Sequence, residues 1–295
     1  MLNVTTALES IRQRLATWEW IRVQTDLLTG VPPGRRLASS ANIIPSEIDR
    51  AELTETHAKP RISQQDAASF AGRIQSTLIS NRLTDAQWQR HIDECKKFRF
   101  HAAMIPPAWT RKTASALAGT GIRVASFIDF PFGTMTSAGK AYEAGRLVQE
   151  GAQEIDLMPN VGFLLSGREK DYFEDIRGVV EGARGIPVKI MLELPLLSVA
   201  LRERAVALSI DAGIAYLKNA SGGSVGIATA EDIRFLRGLA PQNIHIKASG
   251  GIKTAEHVRE LVEAGADLVG TSAAVAIMEE LRGETPGSQQ SGVDY

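Results

Sequence analysis

The sequence predicts an α/β fold, a (β/α)8 barrel of the TIM-barrel type that follows an N-terminal helical extension. Eight short runs rich in apolar and β-forming residues recur along the chain, and segments with helical periodicity lie between them. Strand followed by helix, repeated eight times in about 250 residues, favours parallel strands that close into a barrel. A doubly wound open sheet is the alternative, but no GxGxxG motif follows the first run.

The predicted strands lie near residues 53–56, 102–105, 124–128, 154–158, 188–192, 216–219, 245–248 and 268–271. Two of the segments between them, residues 137–151 and 254–265, repeat apolar side chains at steps of three and four residues. They end at Gly151 and Gly265, and glycine commonly ends helices. Each strand is therefore expected to lead into a helix on the outside of the barrel.

The first 50 residues are expected to lie outside the barrel. Residues 2–28 predict a helix with Ile11, Leu15, Trp18 and Ile21 on one side, and a linker rich in Pro, Gly and Ser follows. The apolar side needs a surface to pack against, which could be the outer surface of the barrel or another subunit. The alternative is that the helix is a lid over the site. The predicted organisation is a helix and linker (residues 1–50), a barrel (51–282) and a flexible tail (283–295).

Composition and charge limit the classes of partner. The chain has 295 residues, 44% of them hydrophobic, and a net charge of −1, which suits a large core and argues against nucleic acid or an anionic membrane. No run is long enough to span a bilayer, and the N-terminus lacks the apolar core of a signal peptide. We expect a cytoplasmic protein that acts on a small molecule. The single cysteine, Cys95, is expected to face the core from a helix.

Two lysines are the strongest candidates for chemistry. Lys218 in AYLKNASGG and Lys247 in IHIKASGGI each end a predicted strand and precede small residues and glycines. Two lysines in one pocket repel each other as cations, which favours one free amine that can attack a carbonyl carbon. The alternative is that each ammonium group reaches water. Because the carboxyl ends of barrel strands meet at one mouth, Asp156, Lys189, Lys218 and Lys247 are predicted to reach one ligand.

Glycine-containing loops after the last two predicted strands suggest an anion site. Residues 249–251 read Ser-Gly-Gly and residues 270–272 read Gly-Thr-Ser, and a predicted helix follows each. Glycines expose backbone N–H groups and helix N-termini add partial positive charge, so these loops could hold a phosphate, as in many barrels. The alternative is that the glycines only make tight turns.

Several motifs resemble one enzyme family. EIDLMPNVGFLLSG, VKIMLEL, YLKNASGG, IKASGGIKTAEH and LVGTSAAVAI, in this order, are similar to the successive strand motifs of 2-deoxyribose-5-phosphate aldolases. ECKKFRFHAAMIPPAW, SFIDFPFGTMTSAGKAYEA and ETHAKP fit the same pattern, so the resemblance covers roughly residues 50–280. It implies a class I, Schiff-base aldolase that needs no metal or other cofactor and interconverts 2-deoxyribose 5-phosphate with acetaldehyde and glyceraldehyde 3-phosphate.

The resemblance also implies roles for individual residues. Lys218 matches the lysine that forms the Schiff base, Lys247 the lysine that perturbs it, and Asp156 the acid of the proton relay. Lys189 matches a further lysine on the fifth strand, and the phosphate-binding loops would contain Ser221, Gly222, Gly250, Gly251 and Ser272. The terminal Tyr295 resembles a tail tyrosine that assists proton transfer in some members; the alternative is a disordered tail that ends in tyrosine by chance.

The chain departs from the family pattern at a few positions: Thr54, Ala103, Asp129, Asn219, Ala220 and Gly223. Asp129 and the Asn219-Ala220 pair suggest that the substrate pocket differs from that of the family. Three hypotheses therefore stand: deoxyribose-phosphate aldolase activity, a related class I aldolase with a different, for example non-phosphorylated, aldehyde acceptor, and a non-catalytic barrel that binds a sugar phosphate.

Overall fold

A computed structural model of the chain describes residues 64–222, 225–283 and 293–294. Eight parallel strands form a closed barrel, in which each strand pairs with the next and the last returns to the first. These strands are β1 (Ile74–Thr77), β3 (Ala102–Met104), β4 (Arg123–Ile128), β5 (Glu154–Leu157), β6 (Val188–Met191), β7 (Tyr216–Lys218), β8 (His245–Ser249) and β9 (Leu268–Thr271). The predicted (β/α)8 barrel is confirmed.

Helices precede and connect the barrel strands. They are α1 (Gln64–Ala71), α2 (Asp85–Phe98), α3 (Thr110–Leu117), α4 (Ser137–Gln149), α5 (Val161–Leu165), α6 (Glu169–Gly182), α7 (Val199–Asp211), α8 (Ala230–Leu239), α9 (Ala255–Glu263) and α10 (Ala274–Arg282). Short 3-10 helices cover Pro107–Trp109 and Leu194–Leu196. A separate two-residue strand, β2 (Ile79–Ser80), pairs with β10 (Val293–Asp294) near the end of the chain.

Seven of the eight predicted strands match barrel strands to within one residue at either end. The prediction for the first strand, residues 53–56, is wrong, because the barrel begins with β1 at Ile74. β1 reads IQST, in which only Ile74 is apolar. Gln75 is polar but buried, and its side chain makes a hydrogen bond there. Residues 53–56 lie outside the described residues, as do the predicted N-terminal helix, Thr54, Gly223 and Tyr295.

Side chains alternate between the two faces of each barrel strand, and this alternation places the polar residues. On β5, Ile155 and Leu157 belong to the hydrophobic core, so Glu154 and Asp156 face the opposite way, into the barrel. On β6 and β8 the same period sends Lys189 and Lys247 inward. Cys95 on α2 is fully buried, as predicted, and burial raises the pKa of its thiol to about 12. No helix in the described ranges could cross a membrane.

The loop after β4 is fixed by a buried lysine on α4. Lys140 Nζ donates to the Gly133 and Met158 carbonyl oxygens, each at 3.0 Å, and to Asp175 Oδ2 at 2.7 Å. Asp129 Oδ2 lies 3.3 Å from the same nitrogen and accepts the Met135 N–H at 2.7 Å. The lysine therefore joins this loop to the end of β5 and to α6.

Replacing Lys140 with methionine is expected to lower the free energy of unfolding by about 3 to 5 kcal/mol, because the change leaves buried carboxylates without their cation. Urea titration followed by tryptophan fluorescence would measure the loss. Lys170→Met, at an exposed position on α6, is the matched control and should change stability by less than about 0.5 kcal/mol. Equal stability of the two variants would contradict a structural role for Lys140.

Candidate active site

Three lysines surround one carboxylate inside the barrel. Asp156 Oδ2 accepts hydrogen bonds from Lys218 Nζ at 3.1 Å and from Lys247 Nζ at 2.6 Å. Lys189 Nζ lies 3.4 Å from the other oxygen, Oδ1. All four side chains are buried, and Lys218 keeps the largest exposure, 6%. The structure thus brings together the four residues that the sequence predicted to share one ligand.

A second buried carboxylate extends this cluster. Glu154 Oε2 lies 2.7 Å from Lys189 Nζ and accepts a hydrogen bond from Gln75 Nε2 at 2.9 Å. Gln75 Oε1 in turn accepts a hydrogen bond from Lys247 Nζ. His101 Nε2 lies 2.7 Å from Glu154 Oε1. The sequence analysis missed both Gln75 and Glu154, although Glu154 stands two residues before Asp156, which is the spacing of one strand face.

The charges in the cluster do not balance when every lysine is protonated, since two carboxylates face three ammonium groups. Burial lowers the pKa of Lys247 to about 7, and repulsion from Lys218 and Lys189 adds to the effect. Burial alone would raise the pKa of Asp156, but Lys247, Lys218 and Lys189 hold it well below its usual range. Burial alone would also raise the pKa of Glu154, but Lys189 and His101 together lower it to about 2. The cluster is therefore suited to hold one neutral amine near pH 7.

The low pKa of Lys247 predicts a pH dependence of stability. Between pH 7 and the ordinary lysine pKa of 10.5, the unfolded chain keeps a proton that the folded chain has lost, so stability rises with pH. The free-energy cost of burying the protonated amine is fully present below pH 7. Above pH 7, loss of the proton removes this cost and stabilises the folded protein by up to about 1.4 kcal/mol per pH unit. Urea unfolding of the wild type and Lys247→Met from pH 6 to 10 should show this slope in the wild type alone. Parallel curves would contradict the prediction, and Lys170→Met serves as the control.

A cavity of about 430 Å³ opens beside the lysines, a size that suits a small ligand. Asp156, Lys218, Lys247 and Ser249 line it from the barrel strands, together with loop residues after β7, β8 and β9: Ser221, Gly222, Gly250, Gly251, Ile252, Lys253 and Ser272. Apolar side chains complete the wall: Ile79, Met104, Phe127, Phe130 and Met191. Every residue predicted for the phosphate loops therefore lines this cavity. Lys253, two residues after the Gly-Gly pair, adds a cation that the sequence analysis missed.

The loops after β7 and β8 approach each other closely because glycines form the contact. Gly250 has a φ of +114°, and a Cβ there would lie 2.5 Å from the Gly226 carbonyl oxygen. Gly222 has a φ of +100°, and its Cβ would lie 3.3 Å from the Gly250 Cα atom. Larger side chains would separate the two loops, so the glycines are required for more than a turn.

Three departures from the family pattern face away from the cavity. The Asn219 side chain accepts the Ser249 N–H at 2.9 Å and donates to the Ser249 carbonyl oxygen at 3.1 Å. Ala220 is buried, and its carbonyl oxygen accepts the Ser249 hydroxyl at 2.6 Å. The Asp129 carboxylate contacts Lys140 and Met135 as described. These residues hold strands and loops together, and they do not line the cavity.

A fourth departure has a related explanation. Ala103 packs in the core shared with the helices, because alternate residues of β3 point outward. Met104, the next residue, lines the cavity from the same strand. The side chain of β3 that faces a ligand is therefore the thioether of Met104. In the described ranges, no group of three or more His, Cys, Asp and Glu side chains could hold a metal ion.

Comparison with known proteins gives consistent relatives, although no family model matches the chain. Deoxyribose-phosphate aldolase 2 of Staphylococcus aureus is 37% identical over 212 residues, which are 72% of this chain and 96% of that protein. The deoxyribose-phosphate aldolase of Bacillus mycoides is 38% identical over 219 residues, covering 74% and 98%. The solved tetrameric deoxyribose phosphate aldolase of Aeropyrum pernix has a TM-score of 0.66 at 30% identity, covering 74% of this chain and 98% of its own.

Proposed function

This chain belongs to the deoxyribose-phosphate aldolase family, and we propose that it cleaves 2-deoxy-D-ribose 5-phosphate reversibly into acetaldehyde and glyceraldehyde 3-phosphate. The observation that carries the proposal is the shared carboxylate: Asp156 Oδ2 contacts both Lys218, which lines the cavity, and Lys247. A proton can pass between the two amines through this oxygen, so the amine that attacks need not be the one that is neutral at rest.

The chemistry follows from an amine beside a proton relay. Lys218 Nζ attacks C1 of the open-chain aldehyde, and loss of water leaves a protonated imine. The C2–C3 bond then breaks, its electron pair moves toward the imine nitrogen, and a base takes the C3 hydroxyl proton, which releases glyceraldehyde 3-phosphate. The remaining enamine is protonated at C2, and hydrolysis frees acetaldehyde and Lys218. Asp156 and Lys247 are proposed to take and return these protons, and the hydrogen bonds of Asp156 with Lys218 and with Lys247 support this role.

The phosphate end of the substrate is proposed to bind at the loops after β7, β8 and β9. Ser221, Gly222, Gly250, Gly251 and Ser272 line the cavity there, and the backbone N–H groups of Gly222, Gly250, Gly251 and Ser272 suit an anion. Lys253 also lines it and supplies a full positive charge. Lys189, which contacts Asp156 and Glu154, is proposed to act on the substrate through Asp156.

Tyr295 is proposed to assist protonation of the enamine. It lies outside the described residues, and the pairing of β10 (Val293–Asp294) with β2 supports the proposal because Ile79 of β2 lines the cavity. We also propose that the chain forms a homo-oligomer, by analogy with the tetrameric relative, and that it acts in the cytoplasm without a cofactor. Light scattering of the purified protein would give its oligomeric state.

The activity is tested with a substrate panel and a trapping experiment. Acetaldehyde release from 2-deoxyribose 5-phosphate is measured beside 2-deoxyribose and other aldol substrates, and the protein is incubated with acetaldehyde and sodium borohydride. We expect release from the phosphorylated sugar and a reduced two-carbon adduct on Lys218. An adduct with release only from other sugars would indicate a related aldolase with a different acceptor. Neither adduct nor release would indicate a non-catalytic barrel.

A further inference from the structure

A buried glutamate stands behind the proposed phosphate loops. Glu193 follows β6 and has no solvent exposure, and its φ of +52° is in the left-handed region, which is uncommon for a residue other than glycine. The backbone on either side is tied to the end of β7: Leu192 N–H donates to the Lys218 carbonyl oxygen at 2.9 Å and Leu194 N–H to that of Asn219 at 3.0 Å. This conformation fixes where the Glu193 side chain can reach.

The Glu193 carboxyl group contacts Ser221, the third residue after the end of β7. Glu193 Oε1 accepts the Ser221 N–H at 2.6 Å, whereas Oε2 is buried without a hydrogen-bond partner in the described part of the chain. Ser221 and Gly222 line the cavity, and Glu193 does not. The Ser221 N–H is thereby directed at Glu193, and this bond sets the orientation of the peptide groups that follow it.

We propose that Glu193 is a positioning residue for the anion subsite, where its carboxyl group holds the Ser221–Gly222 turn in the conformation that binds the substrate phosphate. The inference rests on the proposed function, because it concerns the phosphate end of the same substrate. It assigns Glu193 no contact with the reacting atoms, and it predicts an effect on anion affinity and little effect on Schiff-base formation.

The surroundings of Glu193 raise the pKa of its carboxyl group. Burial raises its pKa above the ordinary value, although the hydrogen bonds with Ser221 and the charge of Lys218 on β7 oppose the shift. An unpartnered oxygen without access to water costs more when it is charged than when it is neutral.

Two variants with side chains of similar volume separate the effect of the hydrogen bond to Ser221 from the effect of the ionisable group at position 193. Glu193→Gln keeps an oxygen acceptor for the Ser221 N–H and removes the ionisable group, whereas Glu193→Met fills the same space with no acceptor. Inorganic phosphate is the probe, and its dissociation constant is measured by calorimetry at pH 7. We expect Glu193→Met to weaken phosphate binding and raise the KM for 2-deoxyribose 5-phosphate roughly tenfold, and Glu193→Gln to stay within about twofold of the wild type.

Trapping by acetaldehyde and borohydride should proceed at the wild-type rate in both variants, and kcat/KM for unphosphorylated 2-deoxyribose should not change. Equal phosphate affinity in all three proteins would overturn the inference and leave the proposed function standing. Tighter binding by Glu193→Gln would also overturn it, because it would mean that the Glu193 carboxyl group hinders anion binding and does not support it. A wild type that traps acetaldehyde but binds no phosphate and cleaves no phosphorylated sugar would overturn both.

Discussion

Replacing Lys218 with alanine is expected to lower kcat for cleavage of 2-deoxyribose 5-phosphate on the order of 10⁴-fold or more, because the covalent route through the imine is lost. The cavity and the anion loops remain, so phosphate affinity should change little. The measurements are acetaldehyde release and mass mapping of the borohydride adduct. Lys170→Ala, at an exposed lysine, is the matched control and should keep full activity.

The same experiment distinguishes Lys218 from Lys247, because the lowered pKa of Lys247 makes it the other candidate nucleophile. Its amine contacts Asp156 and Gln75, and the whole residue is 1% exposed against 6% for Lys218. We therefore expect the adduct on Lys218 in the wild type and no adduct in Lys218→Ala. Lys247→Met should still form an adduct on Lys218 but turn over slowly. An adduct mapped to Lys247 would exchange the proposed roles of the two lysines.

Asp156→Asn is expected to lower kcat by about 10² to 10⁴-fold, because the amide keeps the shape of the side chain but can no longer relay a proton between the two amines. The change also leaves Lys218 and Lys247 without their shared anion, so we expect a loss of about 3 to 5 kcal/mol in the free energy of unfolding. Steady-state kinetics and urea titration at the same pH measure the two effects separately.

The adduct with acetaldehyde should still form in Asp156→Asn, since removing the anion makes the neutral amines more favourable. Asp232→Asn, on the outer helix α8, is the matched control for the loss of one carboxylate. A variant with kcat within threefold of the wild type would contradict the relay, even if stability fell as expected. Loss of both adduct and fold would assign Asp156 a structural role.

The alternation of strand and helix could be predicted because it depends on local patterns. Buried parallel strands such as β6 and β9 are apolar nearly throughout, and helices such as α9 show one apolar face, so both signals are contained in a few consecutive residues. The first strand is not recognisable from local patterns, because β1 is mostly polar and its buried Gln75 is bonded to partners far along the chain. Gln75 contacts Glu154 and Lys247, and no local pattern contains that information.

Substitutions near the site were harder to interpret from the sequence. Asn219 and Ala220 follow Lys218 directly, and their position suggested contact with a substrate, yet one bonds to the Ser249 backbone and both are buried away from the cavity. Asp129 does not line the cavity either, because its carboxylate forms an ion pair with Lys140. Adjacency in sequence did not predict direction, because these residues follow the ends of β7 and β4, where contacts outside the strand, and not strand alternation, set the direction of a side chain.

The sequence by itself determined the barrel and the strand positions of Asp156, Lys189, Lys218 and Lys247, because strand period and burial are local properties that any parallel barrel converts into a common mouth. Only the tertiary structure decided which of these groups are hydrogen-bonded to each other and which lysine has the lowered pKa. It also decided that Gln75, Glu154 and Glu193 support them. Those properties depend on distances of a few ångströms between residues far apart in the chain, and Coulomb energies in a buried site change steeply over such distances.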